Sequence, residues 1–212
     1  MKKVVILMLL SFLAIQTGFG QTLFSIKAGA NLATTTINKD YIIPANTKTE
    51  PKLGYILGLI TQRNLNEKFY VRPELFLSVK GYKLNDAPRT TGSFYYVNLP
   101  VLFGYNLSPK VSFYLGPQVG VLGPVYFNDK NSKRSRNVKK ANGYNTFDAG
   151  AGAGINYKLS AKASVDFRYN QGFTNVLFLN YIDHTGRQIE ADVIKNNRTL
   201  DVSFNYFLWA GR

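Results

Sequence analysis

The chain of 212 residues contains no cysteine. That excludes a disulfide scaffold, a Cys-ligated zinc site, a thiol nucleophile and a lipid-modified Cys anchor. Histidine occurs once, as His184, and tryptophan once, as Trp209. Acids are scarce, with 12 Asp and Glu against 26 Lys and Arg, so the formal charge is +14. Beyond the N-terminus no segment holds the roughly 18 consecutive apolar residues of a spanning helix. Nor does any stretch repeat apolar residues at helical three and four spacing. What is plentiful is aromatic: 15 Phe and 14 Tyr, in a chain that is 45% hydrophobic. Such a composition can build a packed core and argues against disorder. The mean hydropathy is nonetheless slightly negative.

The first twenty residues read as an address. Lys2 and Lys3 precede an uncharged apolar stretch, Val4 to Ile15, and small residues Gly18 and Gly20 precede Gln21. This is the pattern of a cleavable secretory signal peptide over 1–20, leaving a domain over 21–212. The uncharged stretch from Val4 to Gly20 is shorter than the roughly 20 residues of a membrane anchor. Its loss removes two units of positive charge.

The rest of the chain alternates with period two. In Leu200-Asp201-Val202-Ser203-Phe204-Asn205-Tyr206 one face is apolar and the other polar. Val165, Phe167 and Tyr169 likewise oppose Asp166, Arg168 and Asn170. Period two means strands with two unlike faces. Runs of this kind occupy 22–33, 52–63, 69–83, 94–105, 111–123, 146–157, 163–173 and 198–209. Each suits a tilted transmembrane strand of roughly 9–11 residues plus rims, and their even number suits a closed barrel.

The connections alternate too. Those at Asn64 to Lys68, Asn106 to Lys110 and Lys158 to Lys162 are short, while 34–51, 84–93, 124–145 and 174–197 are long. Short periplasmic turns and long external loops are the rhythm of an outer-membrane barrel with both termini in the periplasm. Aromatics concentrate near both ends. Phe69, Tyr70, Tyr105, Phe113, Tyr157, Phe207 and Trp209 lie near the short turns; Tyr82, Phe94, Tyr95, Tyr126, Phe127, Phe147 and Phe173 lie near the long loops. Two interfacial girdles are the expectation.

Period two does not say which face is inside, and a lipocalin-like soluble barrel would put the apolar face inward. The polar faces hold Lys27, Arg72, Glu74, Asn98, Gln118, Asp148, Asn156, Asp166, Arg168, Asp201 and Asn205, and the opposite faces are nearly free of charge. A surface so clean of charge fits lipid. The expected fold is therefore all-β: an eight-stranded antiparallel up-and-down transmembrane β-barrel, preceded by a signal peptide.

These strands resemble the outer-membrane β-barrel family common in Bacteroidetes, which includes the PorT-type proteins. The segments that carry the likeness are Arg72-Pro73-Glu74-Leu75 leading to Lys80-Gly81-Tyr82-Lys83, then Tyr96-Val97-Asn98-Leu99-Pro100-Val101-Leu102. Phe113-Tyr114-Leu115-Gly116-Pro117, Gly150-Ala151-Gly152-Ala153-Gly154-Ile155 and Asp166-Phe167-Arg168-Tyr169-Asn170-Gln171-Gly172 follow in order. The last strand departs from the family's pattern, with Phe204 where a glycine often stands. The resemblance implies an outer-membrane location and no single activity.

An eight-stranded barrel has an interior just wide enough for side chains. Lys27, Arg72, Lys80 and Arg168 against Glu74, Asp148, Asp166 and Asp201 then form a balanced structural polar cluster, because unpaired interior charge is costly. Gly150, Gly152 and Gly154 lack a following Lys-Ser/Thr, so they read as room for large inward side chains, not as a phosphate loop. Lys130, Lys133, Arg134, Arg136, Lys139 and Lys140 cluster in one external loop. Behind a signal peptide they read either as a mobile solvated loop or as a site for the anions of lipopolysaccharide, not of nucleic acid. The adjacent Asp183 and His184 are the candidates for a rim enzyme, but no serine is tied to them by a motif. The expectation is a small outer-membrane barrel with a structural or binding role, not an enzyme, without metal or cofactor. Its partners are outer-membrane lipid, lipopolysaccharide and other envelope proteins. The alternatives are an accessory subunit of an envelope secretion machine and a narrow pore for ions or small solutes.

Overall fold

A computed structural model describes residues 22–37, 49–85, 90–129, 135–137, 143–182 and 188–210. All of their regular structure is strand. The strands are β1 (Thr22–Ile37), β2 (Thr49–Asn64), β3 (Phe69–Leu84), β4 (Thr90–Asn106), β5 (Val111–Asp129), β6 (Ser135–Asn137), β7 (Phe147–Lys158), β8 (Ala163–Gly172), β9 (Leu177–Ile182) and β10 (Gln188–Ala210).

Eight of these form the wall. Every neighbour is antiparallel, in the order β1-β2-β3-β4-β5-β7-β8-β10, and β10 pairs back onto β1 from Leu23↔Ala210 to Ile37↔Ile194. The sheet is a closed barrel with no free edge, the arrangement that lets strands cross a bilayer with every backbone group paired.

The eight alternating runs of the sequence match these eight strands. Two of the long connections, however, contain strand of their own. β5 runs on to Asp129 and pairs with β6, and β10 starts at Gln188, where it pairs with β9. Gln188 to Asp192 does alternate, with Ile189 and Ala191 on one parity, but Val193-Ile194 interrupts the phase before the wall begins, and the pairing shifts register between Asp192 and Ile194 there.

Burial decides which face is inside. Ser25, Lys27, Asn31, Arg72, Glu74, Asp166, Arg168, Asp201 and Asn205 are buried, whereas Leu53, Leu57, Leu77, Phe103, Leu115, Phe167 and Leu200 are exposed. The polar face lines the lumen and the apolar face surrounds the barrel, which is the reverse of a lipocalin. A continuous outer coat of Leu, Phe and Val, with Leu115 67% exposed, is stable only when lipid covers it.

Parity also corrects the girdles. Phe69, Tyr105, Phe113 and Tyr157 at one end, and Phe147 and Phe173 at the other, are exposed. Tyr70, Tyr82 and Phe94 instead point into the lumen and are buried. They share the phase of Arg72, Lys80 and Asn98, so they could not face lipid. The side chain of Trp209 lies outside the description.

The lumen is layered. Near the short turns Tyr70, Leu102 and Tyr114 pack together. Toward the opposite end Tyr82, Phe94, Tyr96, Leu122, Val125, Val176, Leu177 and Ile194 form an apolar plug. The charged residues lie between.

Candidate functional site

The middle layer is built from two short patterns on opposite sides of the barrel. On β3, Arg72 and Glu74 lie two residues apart and so face the same way. On β8, Asp166 and Arg168 do the same with the charges reversed. The two strands stand four places apart in a ring of eight, and both run in the same direction. Arg72 therefore meets Asp166, and Glu74 meets Arg168, across the lumen.

The contacts are fork to fork. Arg168 donates from Nη1 and Nη2 to Glu74 Oε2 and Oε1, at 2.9 and 2.6 Å. Arg72 donates from Nη1 to Asp166 Oδ1 at 3.2 Å and from Nη2 to Oδ2, and its Nε lies 2.9 Å from Glu74 Oε1. Lys27 on β1 completes the group, with Nζ 3.1 Å from Glu74 Oε2 and 3.8 Å from Asp166 Oδ2. Bidentate Arg–carboxylate pairs add geometric specificity to charge. Both guanidinium groups stack on Tyr114, at 5.1 Å for Arg72 and 5.0 Å for Arg168, a favourable use of the ring face. Asp166 also accepts from Asn156 Nδ2 at 2.8 Å and Asn205 Nδ2 at 3.0 Å.

Lys80 and Asp148 form a second, separate pair at 2.8 Å, with the Lys80 ammonium 4.7 Å from the Tyr96 ring centre. Asn197 donates to the same Asp148 oxygen at 3.1 Å. Asp201 is not joined to a cation among the described residues. Its Oδ2 accepts from Asn170 Nδ2 at 2.7 Å, and its Oδ1 has no partner there. Its strand neighbour in register is Arg168, whose fork is turned away to Glu74. The four cations and four carboxylates thus divide into a group of five, a pair and one acid held by an amide.

The strand-centre glycines make this packing possible. A methyl at Gly152 would come within 2.6 Å of Asn170 Oδ1, and one at Gly154 within 2.6 Å of the Tyr114 hydroxyl. The gap left between Lys80, Gln118, Asp148, Asn170 and Asn197 is about 10 Å³, room for roughly one water molecule.

Tyr114, Phe76 and Tyr70 belong to this interior and carry no charge to flag them. Their signal was parity: Tyr114 shares the phase of Gln118, and Tyr70 and Phe76 that of Arg72 and Glu74. Of the basic external cluster, Lys130, Lys133, Arg134, Lys139 and Lys140 lie outside the described residues; Arg136 is placed only as backbone on β6, opposite Phe127. Asp183 and His184 also lie outside them.

A closed wall, polar inside and apolar outside, agrees with what the chain is similar to. The model of the outer membrane protein beta-barrel domain matches residues 17–177. The chain belongs to this family. Among solved structures, the crystal structure of Neisserial surface protein A is similar over 86% of this chain and 96% of its own, at 14% identity and a TM-score of 0.53. The attachment invasion locus protein Ail of Yersinia pestis, in complex with the heparin analogue sucrose octasulfate, covers 90% of this chain and 100% of its own, at 14% identity and a TM-score of 0.46. No curated protein matches the chain. Membership of the outer membrane barrel family makes this an integral protein of the bacterial outer membrane.

Proposed function

We propose that this small outer-membrane barrel is closed, and that it serves as a rigid anchor that presents its long-loop end as a contact surface. The observation that carries this reading is the clasp of Arg72 and Glu74 with Asp166 and Arg168 across the lumen. An aqueous path needs interior charges that water can reach, whereas these are buried in bidentate pairs below an apolar plug. The polar cluster Lys27, Arg72, Glu74, Lys80, Asp148, Asp166, Arg168 and Asp201 is structural in this account and carries no catalytic step. The short turns face the periplasm together with both ends of the wall, and the β5–β6 and β9–β10 hairpins face outward.

Planar-bilayer recording tests it. Purified protein should give no stable channel events above the lipid background. Discrete, ion-selective openings would support the narrow pore instead.

The basic residues Lys130, Lys133, Arg134, Arg136, Lys139 and Lys140 suit the phosphates and carboxylates of lipopolysaccharide. Replacing all six with Gln should abolish salt-dependent lipopolysaccharide binding; unchanged binding would remove them from the account. A second reading, an accessory role in an envelope secretion machine, is supported by the order of PorT-like segments along the chain. It predicts co-purification with larger envelope proteins from solubilised outer membranes.

A further inference from the structure

The three short turns are copies of one device. Leu65-Asn66-Glu67-Lys68, Leu107-Ser108-Pro109-Lys110 and Leu159-Ser160-Ala161-Lys162 share Leu, then Asn or Ser, then any residue, then Lys. The second residue is spent on the backbone: Asn66 Oδ1 accepts from Lys68 N at 2.9 Å, Ser108 Oγ from Lys110 N at 3.3 Å, and Ser160 Oγ from Lys162 N at 3.2 Å. The leucine is left outside, 61%, 62% and 54% exposed in turn. Each lysine carbonyl accepts an amide of the next strand end, from Asn106, Lys158 and Phe207. The turns therefore join into one rim in which an exposed Leu and an exposed Lys recur.

Against this rim, on the lipid side of the wall, lies a groove of about 580 Å³. Phe69, Phe103, Tyr105 and Phe113 wall it, and the small Ala153 leaves room along it. In register, Phe69, Tyr105, Phe113 and Ile155 form one row across four strands, with Phe103, Leu115 and Ala153 in the row further into the bilayer. The first row follows directly on the turns that carry Lys68 and Lys110. The rim residues Lys68, Lys110, Lys158 and Lys162 face one acid, Glu67. None of these four lysines is ion-paired among the described residues.

We propose that this groove and rim form a binding site for one anionic phospholipid, with an acyl chain between Phe103 and Phe113 and its phosphate against Lys68 and Lys110. An apolar slot that ends in unpaired cations matches an amphiphile with an apolar tail and a negative head. A second copy of the chain would bring the same positive rim and be repelled. The inference rests on the orientation given above only for the leaflet concerned. Binding itself is independent of which way the barrel points.

Native mass spectrometry of the detergent-purified protein tests it, with phosphatidylglycerol and phosphatidylcholine of identical chains as probes. The expected result is one phosphatidylglycerol retained, at least about tenfold more strongly than phosphatidylcholine. Lys68→Gln with Lys110→Gln should erase the difference, and Ala153→Phe should weaken retention of both lipids. These positions are all on the outer surface, and gel mobility before and after boiling verifies that each variant is folded. Equal retention of the two lipids by the unaltered protein would overturn the site. So would undiminished retention by folded Ala153→Phe, or a dimer that excludes lipid. Leaflet is read separately, by labelling Ala161→Cys in whole cells with a membrane-impermeant thiol reagent; labelling there would overturn the orientation and leave the lipid site standing.

Discussion

Glu74 on β3 accepts both terminal guanidinium hydrogen bonds of Arg168 on β8, at 2.9 and 2.6 Å, across the width of the barrel. The neighbouring Arg72 and Asp166 repeat the pairing with the charges exchanged. Each side of the lumen thus carries one acid and one base, so neither wall can shift along its axis without setting like charges together. The clasp specifies register as well as closure.

Removing one member leaves the others buried without their counter-charge. Asp166→Asn strands Arg72 and part of Lys27, and should cost about 3–5 kcal/mol. Urea unfolding of the protein in lipid vesicles measures it. A loss below about 1 kcal/mol would mean that water already compensates these charges.

Gly154 faces the hydroxyl of Tyr114, over whose ring both arginines lie. Gly154→Val should therefore overpack the lumen, with a loss of about 1–3 kcal/mol and a lower yield of the heat-modifiable folded band. The control is Ala153→Val next to it on the outer face, which should fold normally.

The outer face gives an opposite test. Leu115 is among the most exposed large apolar side chains of the described residues, and in water its replacement by Arg would be harmless. In a bilayer Leu115→Arg, one row in from the rim aromatics, should destabilise by about 1–2 kcal/mol, less than at the midplane. Equal stability of the variant in vesicles would contradict the placement of this face in lipid.

The apolar plug is separable from the clasp. Phe94 has no exposed surface and packs on Tyr82, Phe127 and Tyr144. Phe94→Ala should cost about 3–5 kcal/mol without opening a conducting path, because the ionic layer below remains. Single-channel events in Phe94→Ala, but not in the unaltered protein, would place the seal in the plug.

The wall was legible because its signal is local. Parity along each run, and the alternation of short and long connections, depend on residues close in sequence, and both survive into the barrel. The members of the polar cluster were legible for the same reason, since charge on one parity marks the lumen. Their partners were not. Which cation meets which acid depends on the stagger of strands β3 and β8, far apart in the chain, and no period records it. Counting charges gives a balanced cluster of four cations and four acids, whereas Asp201 sits beside Arg168 in register and yet is held by Asn170. The inward aromatics show the converse. Tyr70, Tyr82 and Phe94 lie near strand ends, and proximity to an end suggested girdles; parity, a stronger constraint than position, turns them inside.

Glu74 and Arg168 act as one unit across the lumen. A double-mutant cycle in vesicles, with Glu74→Gln, Arg168→Met and both together, tests it most directly. Strong coupling is the expected result, with the double variant recovering about 2 kcal/mol or more relative to the sum of the single losses. Losses that add to within about 0.5 kcal/mol would show two independent side chains and contradict the clasp.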